Sequence, residues 1–208
     1  MSTEEIFKST TDWPSFVCVD NFYDNPDAVR NFALSQEFIA HEQYHKGKRT
    51  EVLYRPESLK QKFEKILGRK ITKWVDYGVN GCFQHCVAKD QIVYHYDTQN
   101  YAGVIYLTPD APPESGTTFY RSRRNKLMKI LNSKQALATG KSFNQLQAET
   151  FYNGFFDKTQ FEMVDTVGNV YNRLVLWDAH ILHAATSYFG TNLQNSRLFH
   201  LFFFDVEK

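Results

Sequence analysis

From Lys73 onward the chain breaks into short apolar runs rich in β-branched and aromatic residues, and this texture limits the fold more than any other feature. The runs read "KWVDYG", "GCFQHCVA", "IVYHYD", "AGVIYLT" and "GTTFYR", separated by turn signals at "GVNG", "AKDQ" and "PDAPPESG". Strand texture resumes at "QFEMVDTV", "RLVLWD" and "RLFHLFFFD". About eight short strands spaced this way suit a double-sheet jelly roll better than a parallel α/β sheet, whose strands would alternate with helices. The expected class is therefore mainly β with flanking helices.

Before these runs the pattern differs. "SFVCV" at 15–19 reads as a short strand, and "DNPDAVRNFALSQ" as a helix with Asp24 as N-cap and Pro26 in its first turn. Leu59, Phe63, Ile66 and Leu67 recur at helical spacing, and Gly68 supplies the stop. Both helices are expected to brace a sheet from outside. Between Arg124 and Gln147, Leu127, Met128, Ile130, Leu131 and Leu137 indicate a helical insertion with polar flanks. The organisation expected is one domain over residues 1–208. Residues 1–72 act as helical and strand support, 73–205 form the jelly-roll core, and the insertion spans about 124–147. A chain of 208 residues can bury about 70% of its unfolded surface in a single core.

Charge narrows the partners. Lys and Arg (24) nearly balance Asp and Glu (23), which argues against a broad footprint for nucleic acid or anionic membrane. The basic run "RSRRNK", Arg121 to Lys126, reads as a solvated helix start. Cys18, Cys82 and Cys86 lack zinc spacing and read as reduced and mostly buried, the state expected in the cytoplasm. "MSTEEIFKSTTDW" contains no apolar segment of signal-peptide length, and no later stretch resembles a membrane span.

The chemistry is concentrated in a few residues. His95 and Asp97 lie two positions apart in a strand-like run, so both project to one face. With a second, distant histidine they supply the two imidazoles and one carboxylate used by non-haem Fe(II) sites, which leave open positions for other ligands. His180 and His183 in "HILH" both could reach such a metal. Arg197 follows His183 by fourteen positions and opens a strand that is apolar on both faces. A guanidinium buried there must meet an anion, and its rigid fork matches a carboxylate. An internal Arg–Asp pair is the competing explanation. Gln84 or His85 in "GCFQHC" could line the neighbouring pocket, and Tyr106 could donate its hydroxyl to a carboxylate there. Thr118 and Trp177 are weaker candidates, His200 reads as a core histidine, and His41 and His45 read as solvated loop residues.

Taken in order, these residues resemble the Fe(II)/2-oxoglutarate-dependent oxygenase superfamily, in which HxD…H binds iron and a following Arg anchors 2-oxoglutarate. The string from "NGCFQHCVAKDQIVYHYDTQN" to "GTTFYR" is similar to small oxygenase-like proteins of phage and marine bacteria in the prolyl-hydroxylase-related branch. The opening "VCVDNFYDNPDAVRNFA" is similar to their N-terminal segment. The resemblance implies a cupin-like double-stranded β-helix, with His95, Asp97 and His183 as iron ligands and Arg197 as the 2-oxoglutarate anchor. It places the distal histidine after a strand of the "RLVLWD" kind and a brief turn, which selects His183 over His180. It also implies Fe(II), 2-oxoglutarate and O2 as cofactor and co-substrates. The product side is a hydroxylated small molecule or protein side chain, with succinate and CO2 released. Asp97 favours hydroxylation over halogenation, since halogenases of the superfamily lack the carboxylate. The insertion at 124–147 departs from the pattern and leaves the substrate open. Competing expectations are a cupin-like metalloenzyme that uses no 2-oxoglutarate and a non-catalytic jelly-roll binding module.

Overall fold

The computed structural model describes Glu5, residues 14–40 and residues 47–207. Strand β1 (Phe16–Val19) leads into helix α1 (Pro26–Leu34). Asn25, and not Asp24, caps that helix, its side chain accepting from the Ala28 N–H at 3.0 Å. Pro26 then occupies the first turn, where a missing N–H costs nothing. Two short strands, β2 (Ile39–Ala40) and β3 (Lys48–Arg49), precede helix α2 (Glu57–Leu67). Leu59 and Phe63 are its buried residues, and Gly68 ends it in the left-handed conformation at φ 65°. Next come β4 (Ile71–Lys73), β5 (Phe83–Cys86), β6 (Tyr101–Tyr106) and β7 (Thr117–Ser122). Two small helices, α3 (Ser133–Ala138) and α4 (Phe143–Thr150), are followed by β8 (Phe161–Val167), β9 (Leu174–Asp178), β10 (His183–Ala185) and β11 (Arg197–Val206).

The strands form two antiparallel sheets. The larger runs β1, β9, β6, β11, β5, β3, β2, with β4 added against β11; the smaller runs β10, β7, β8. Alternation along the strands of the large sheet divides the core. Ile105, Leu176, Leu198 and Phe202 pack with Phe22 and Phe63, under the helices. Val104, Trp177, Phe199 and Leu201 pack instead with Phe119 and Val167 of the small sheet. Phe63 pins α2 in place, with ring centroids 4.9 Å from Phe202, 5.4 Å from Phe204 and 5.5 Å from Phe22. Each such pair contributes about 0.5–1.5 kcal/mol beyond simple burial. Tyr94, Phe151, Phe161 and Leu182 join α4 to the small sheet from the far side.

Three local expectations are corrected. "KWVDYG" contributes only Lys73 to a strand, because the chain turns immediately afterwards. "IVYHYD" belongs to no ladder: Tyr94 donates to Phe155 O and Asp97 to Ala179 O, so its backbone is satisfied by loops, with one isolated bridge from His95 to His183. The basic run "RSRRNK" is the end of β7 and a turn rather than a helix start, and Arg121, Arg123 and Lys126 converge on Glu162 of β8. Hydrogen bonds from Lys126 and Arg121 pull the Glu162 carboxyl down to about 2. No disulfide joins Cys18, Cys82 and Cys86; the latter two are buried as expected, whereas Cys18 is exposed. Among the described residues no helix is long and apolar enough to cross a membrane.

Candidate metal centre

Between the sheets, His95 and His183 are locked to each other through their backbones. The His95 N–H donates to His183 O at 3.0 Å and the His183 N–H to His95 O at 2.8 Å. Their rings lie 4.3 Å apart, and Trp177 sits edge-on to His183 at 4.9 Å. Asp97 is fixed beside them by its own N–H, which donates to Ala179 O at 2.7 Å. The strand spacing thus delivers both groups to one place, although the segment is only extended and not ladder-paired.

Tautomers follow from the partners. His95 Nδ1 meets Val93 O at 3.0 Å, and His183 Nδ1 meets Ile181 O at 2.7 Å. Carbonyls only accept, so each Nδ1 carries the proton and each Nε2 presents a lone pair to the shared gap. Asp97 Oδ2 is buried there with no hydrogen-bond partner among the described residues, 3.3 Å from His183 Nε2 and 4.0 Å from His95 Nε2. Three electron-rich atoms therefore face one gap with no proton between them, a repulsive arrangement that a divalent cation would relieve. The candidate ligand atoms all lie within 4.8 Å of one another. Ligands about 2.1 Å from one ion, at right angles to each other, stand roughly 3 Å apart, so small side-chain adjustments suffice. Burial, reinforced by His183, keeps the His95 imidazole below its usual value and hence neutral. Burial pushes the Asp97 carboxyl up, yet it is held below the usual carboxylate range, and with both Nε2 atoms unprotonated the Arg49 guanidinium is the positive charge that opposes burial.

A cavity of about 100 Å³ touches the triad and Arg197 together, with Val104, Thr117, Trp177 and Phe199 in its walls. It adjoins a wider one of about 320 Å³ that shares Arg49, Gln84, His95, Asp97 and Tyr188. Arg197 is 3% exposed, its Nε donating to Ser115 O at 2.8 Å and its Nη2 to Gly116 O at 3.1 Å. The guanidinium lies 4.7 Å from the Phe199 ring and 5.2 Å from that of Tyr106. Among the described residues it forms no ion pair, so the internal Arg–Asp pair is absent.

The remaining candidates separate. Gln84 lines both cavities and accepts from Arg49 Nε at 2.6 Å. His85, on the opposite face of β5, bonds Ser196 Oγ at 3.2 Å and lines a separate groove of about 520 Å³. The Tyr106 hydroxyl is taken by Thr117 Oγ1 at 2.8 Å, so it braces the floor beneath Arg197. Thr118 points away, into hydroxyl contacts with Thr166 and Thr186, and Thr117 lines the cavity instead. Trp177 lines it too, its indole N–H buried without a hydrogen-bond partner among the described residues. His180 is drawn off by Asp178 at 2.9 Å. His200 is a core residue between Tyr23 Oη and Gly81 O, and burial pushes its imidazole down to about 3. His41 and His45 lie outside the described residues. Sequence reasoning missed Arg49 and Tyr188. Arg49 is hidden in the basic run "KGKRT", and its placement at a β3 position opposite Gln84 becomes visible only with the register.

Residues 5–197 match the model of a family described as a family of unknown function, DUF6445. No curated protein matches the chain. Among solved structures the chain is similar to HygX from Streptomyces hygroscopicus with nickel and 2-oxoglutarate bound. That match has 11% identity and a TM-score of 0.58, and covers 99% of this chain and 87% of that one. HygX has also been solved with nickel, 2-oxoglutarate and hygromycin B, matching with TM-score 0.53 at 11% identity over 99% of this chain and 87% of that one. A prolyl hydroxylase from Trichoplax adhaerens, in complex with a hypoxia inducible factor peptide fragment, matches with TM-score 0.51 at 12% identity, over 92% and 84% of the two chains. At these identities the likeness is one of fold.

Proposed function

The chain belongs to the DUF6445 family, and from that premise and the geometry of the triad we propose that it is an Fe(II)- and 2-oxoglutarate-dependent oxygenase on a double-stranded β-helix. The reading is a hydroxylase acting on a small molecule or a protein side chain. One observation carries it: three proton-free ligand atoms face a common gap in a cavity whose other wall is a buried guanidinium without an acid partner. The fold shared with HygX and a prolyl hydroxylase supports it.

In this reading His95, Asp97 and His183 hold the metal, and the Val93 and Ile181 carbonyls keep both imidazoles in the ligating tautomer. When bound, the iron with 2-oxoglutarate supplies O2 activation coupled to decarboxylation to succinate and CO2. Arg197 receives the far carboxylate of 2-oxoglutarate, its fork oriented by the Ser115 and Gly116 carbonyls. Val104, Phe199 and Trp177 keep that end dry. A cupin-like enzyme using no 2-oxoglutarate would leave Arg197 buried and uncompensated, which costs several kcal/mol.

Succinate release, measured with Fe(II), 2-oxoglutarate and a panel of peptides, amino acids and aminoglycosides, tests the proposal. His95→Ala is expected to abolish release. Arg197→Met is expected to raise the KM for 2-oxoglutarate by about ten- to a hundredfold, the worth of a charge-assisted hydrogen-bonded pair. Unchanged affinity for 2-oxoglutarate in that variant would favour the cupin reading, and no visible absorption on anaerobic mixing with Fe(II) and 2-oxoglutarate would favour a binding module.

A further inference from the structure

We propose that the substrate taken by this site is a small molecule bearing a free carboxylate, and that Arg49 is the residue that binds it. This rests on the oxygenase reading above and names its substrate class.

Arg49 lies on β3 opposite Gln84 of β5, and it lines both cavities beside His95 and Asp97. Its Nε donates to Gln84 Oε1 at 2.6 Å, which fixes the plane of the guanidinium. Among the described residues neither terminal nitrogen has a hydrogen-bond partner, and no carboxylate forms an ion pair with it. The side chain is half-buried, and that burial lowers its pKa from the ordinary arginine value. A guanidinium held flat and half-buried at a cavity wall, with its outer edge unspent on any described residue, has the form of a carboxylate receptor.

The charge of the cavity points to the same ligand. Among the described residues, Arg49, Arg197 and Asp97 are the charged side chains in its walls, leaving these at +1. A divalent ion would raise this to +3, and dianionic 2-oxoglutarate would return it to +1. One further monoanion brings the described walls and their ligands to neutrality, the balance that a partly buried site favours. Arg197 is committed to the co-substrate in this reading, so the monoanion falls to Arg49. The wider cavity on its side, about 320 Å³, is of the size that holds a small metabolite.

The test loads the full chain with Mn(II) and 2-oxoglutarate and titrates it with the free L-amino acids and simple monocarboxylic acids, each beside its carboxamide. Binding is read by thermal unfolding, and hits are carried into succinate release with Fe(II). At least one free acid is expected to raise the unfolding temperature where its amide does not. Arg49→Met is expected to weaken that acid by about ten- to a hundredfold while Mn(II) and 2-oxoglutarate still bind. Amides binding as well as acids, or no acid binding at all, would overturn the proposal without needing any variant. Loss of 2-oxoglutarate affinity in Arg49→Met would reassign Arg49 to the co-substrate. Binding of an acetylated Glu- or Asp-containing peptide, with no free acid binding, would overturn the small-molecule class. If the wild-type chain fails to bind 2-oxoglutarate with Mn(II), it is the oxygenase reading that fails. The acid-against-amide comparison on metal-free wild type and Arg49→Met then decides Arg49 separately.

Discussion

At the scale of single residues, two buried groups have opposite relations to protons. Asp97 Oδ2 faces two lone pairs, so the metal-free protein carries an unfavourable contact at its centre. Asp97→Asn replaces an acceptor with a donor toward His183 Nε2. It is expected to raise metal-free stability by about 1 kcal/mol while weakening Mn(II) by more than about a hundredfold; paired unfolding curves with and without Mn(II) read both signs. His200 is kept neutral by burial, accepting from Tyr23 and donating to Gly81 O. Its folded value of about 3 lies below its unfolded 6.5. The unfolded chain therefore binds a proton that the folded one refuses, and stability falls as pH drops below about 6.5. Between pH 7 and pH 4 this amounts to about 3 kcal/mol, and His200→Gln should flatten that part of the profile in urea denaturation. That His95 and Asp97 would fall on one side was legible from their spacing in an extended run; His183 was singled out only by the family resemblance, and Arg197 by its apolar strand. Arg49 was not, since a basic run carries no sign of which member turns inward.

Elements carry these residues with unequal tolerance. β11 was readable from its composition: Arg197, Phe199, Leu201 and Phe203 share the cavity side, while Leu198, Phe202 and Phe204 go to the helices. The segment 92–97 was misread as a strand because apolar alternation is blind to where backbone hydrogen bonds end up. The insertion was read as helical from 124, but α3 begins at Ser133, capped by Asn132, and Leu137 remains exposed. Two glycines show what each element permits. Gly68 has nothing within 4 Å of a would-be Cβ, so Gly68→Ala costs only its left-handed backbone, about 1 kcal/mol. At Gly116, just before β7, a Cβ would lie 1.8 Å from Val167 O. Gly116→Ala must push β7 from β8 and withdraw a carbonyl from Arg197, so it is expected to cost about 1–3 kcal/mol and to raise the KM for 2-oxoglutarate. Urea titration with succinate kinetics separates the two variants: Gly68→Ala should leave the KM unchanged.

For the molecule as a whole, the mainly antiparallel class was legible because turn signals and β-branched runs act locally, whereas the meeting of the two sheets depends on registers that no local pattern states. Mn(II) and 2-oxoglutarate bind only the folded form in the proposed reading. Each at a hundred times its Kd adds about 2.7 kcal/mol, so together they are expected to raise Tm by roughly 10–20 °C, and EDTA should reverse the metal's share. The reciprocal backbone bonds between His95 and His183 have a wider consequence. An ion seated there would tether two points of the chain with β6 through β9 looped between them, so strands that never touch the ion would breathe more slowly once it arrives. Amide exchange in β7 and β8 should slow on adding Mn(II), and exchange in the α1 and α2 layer should change far less.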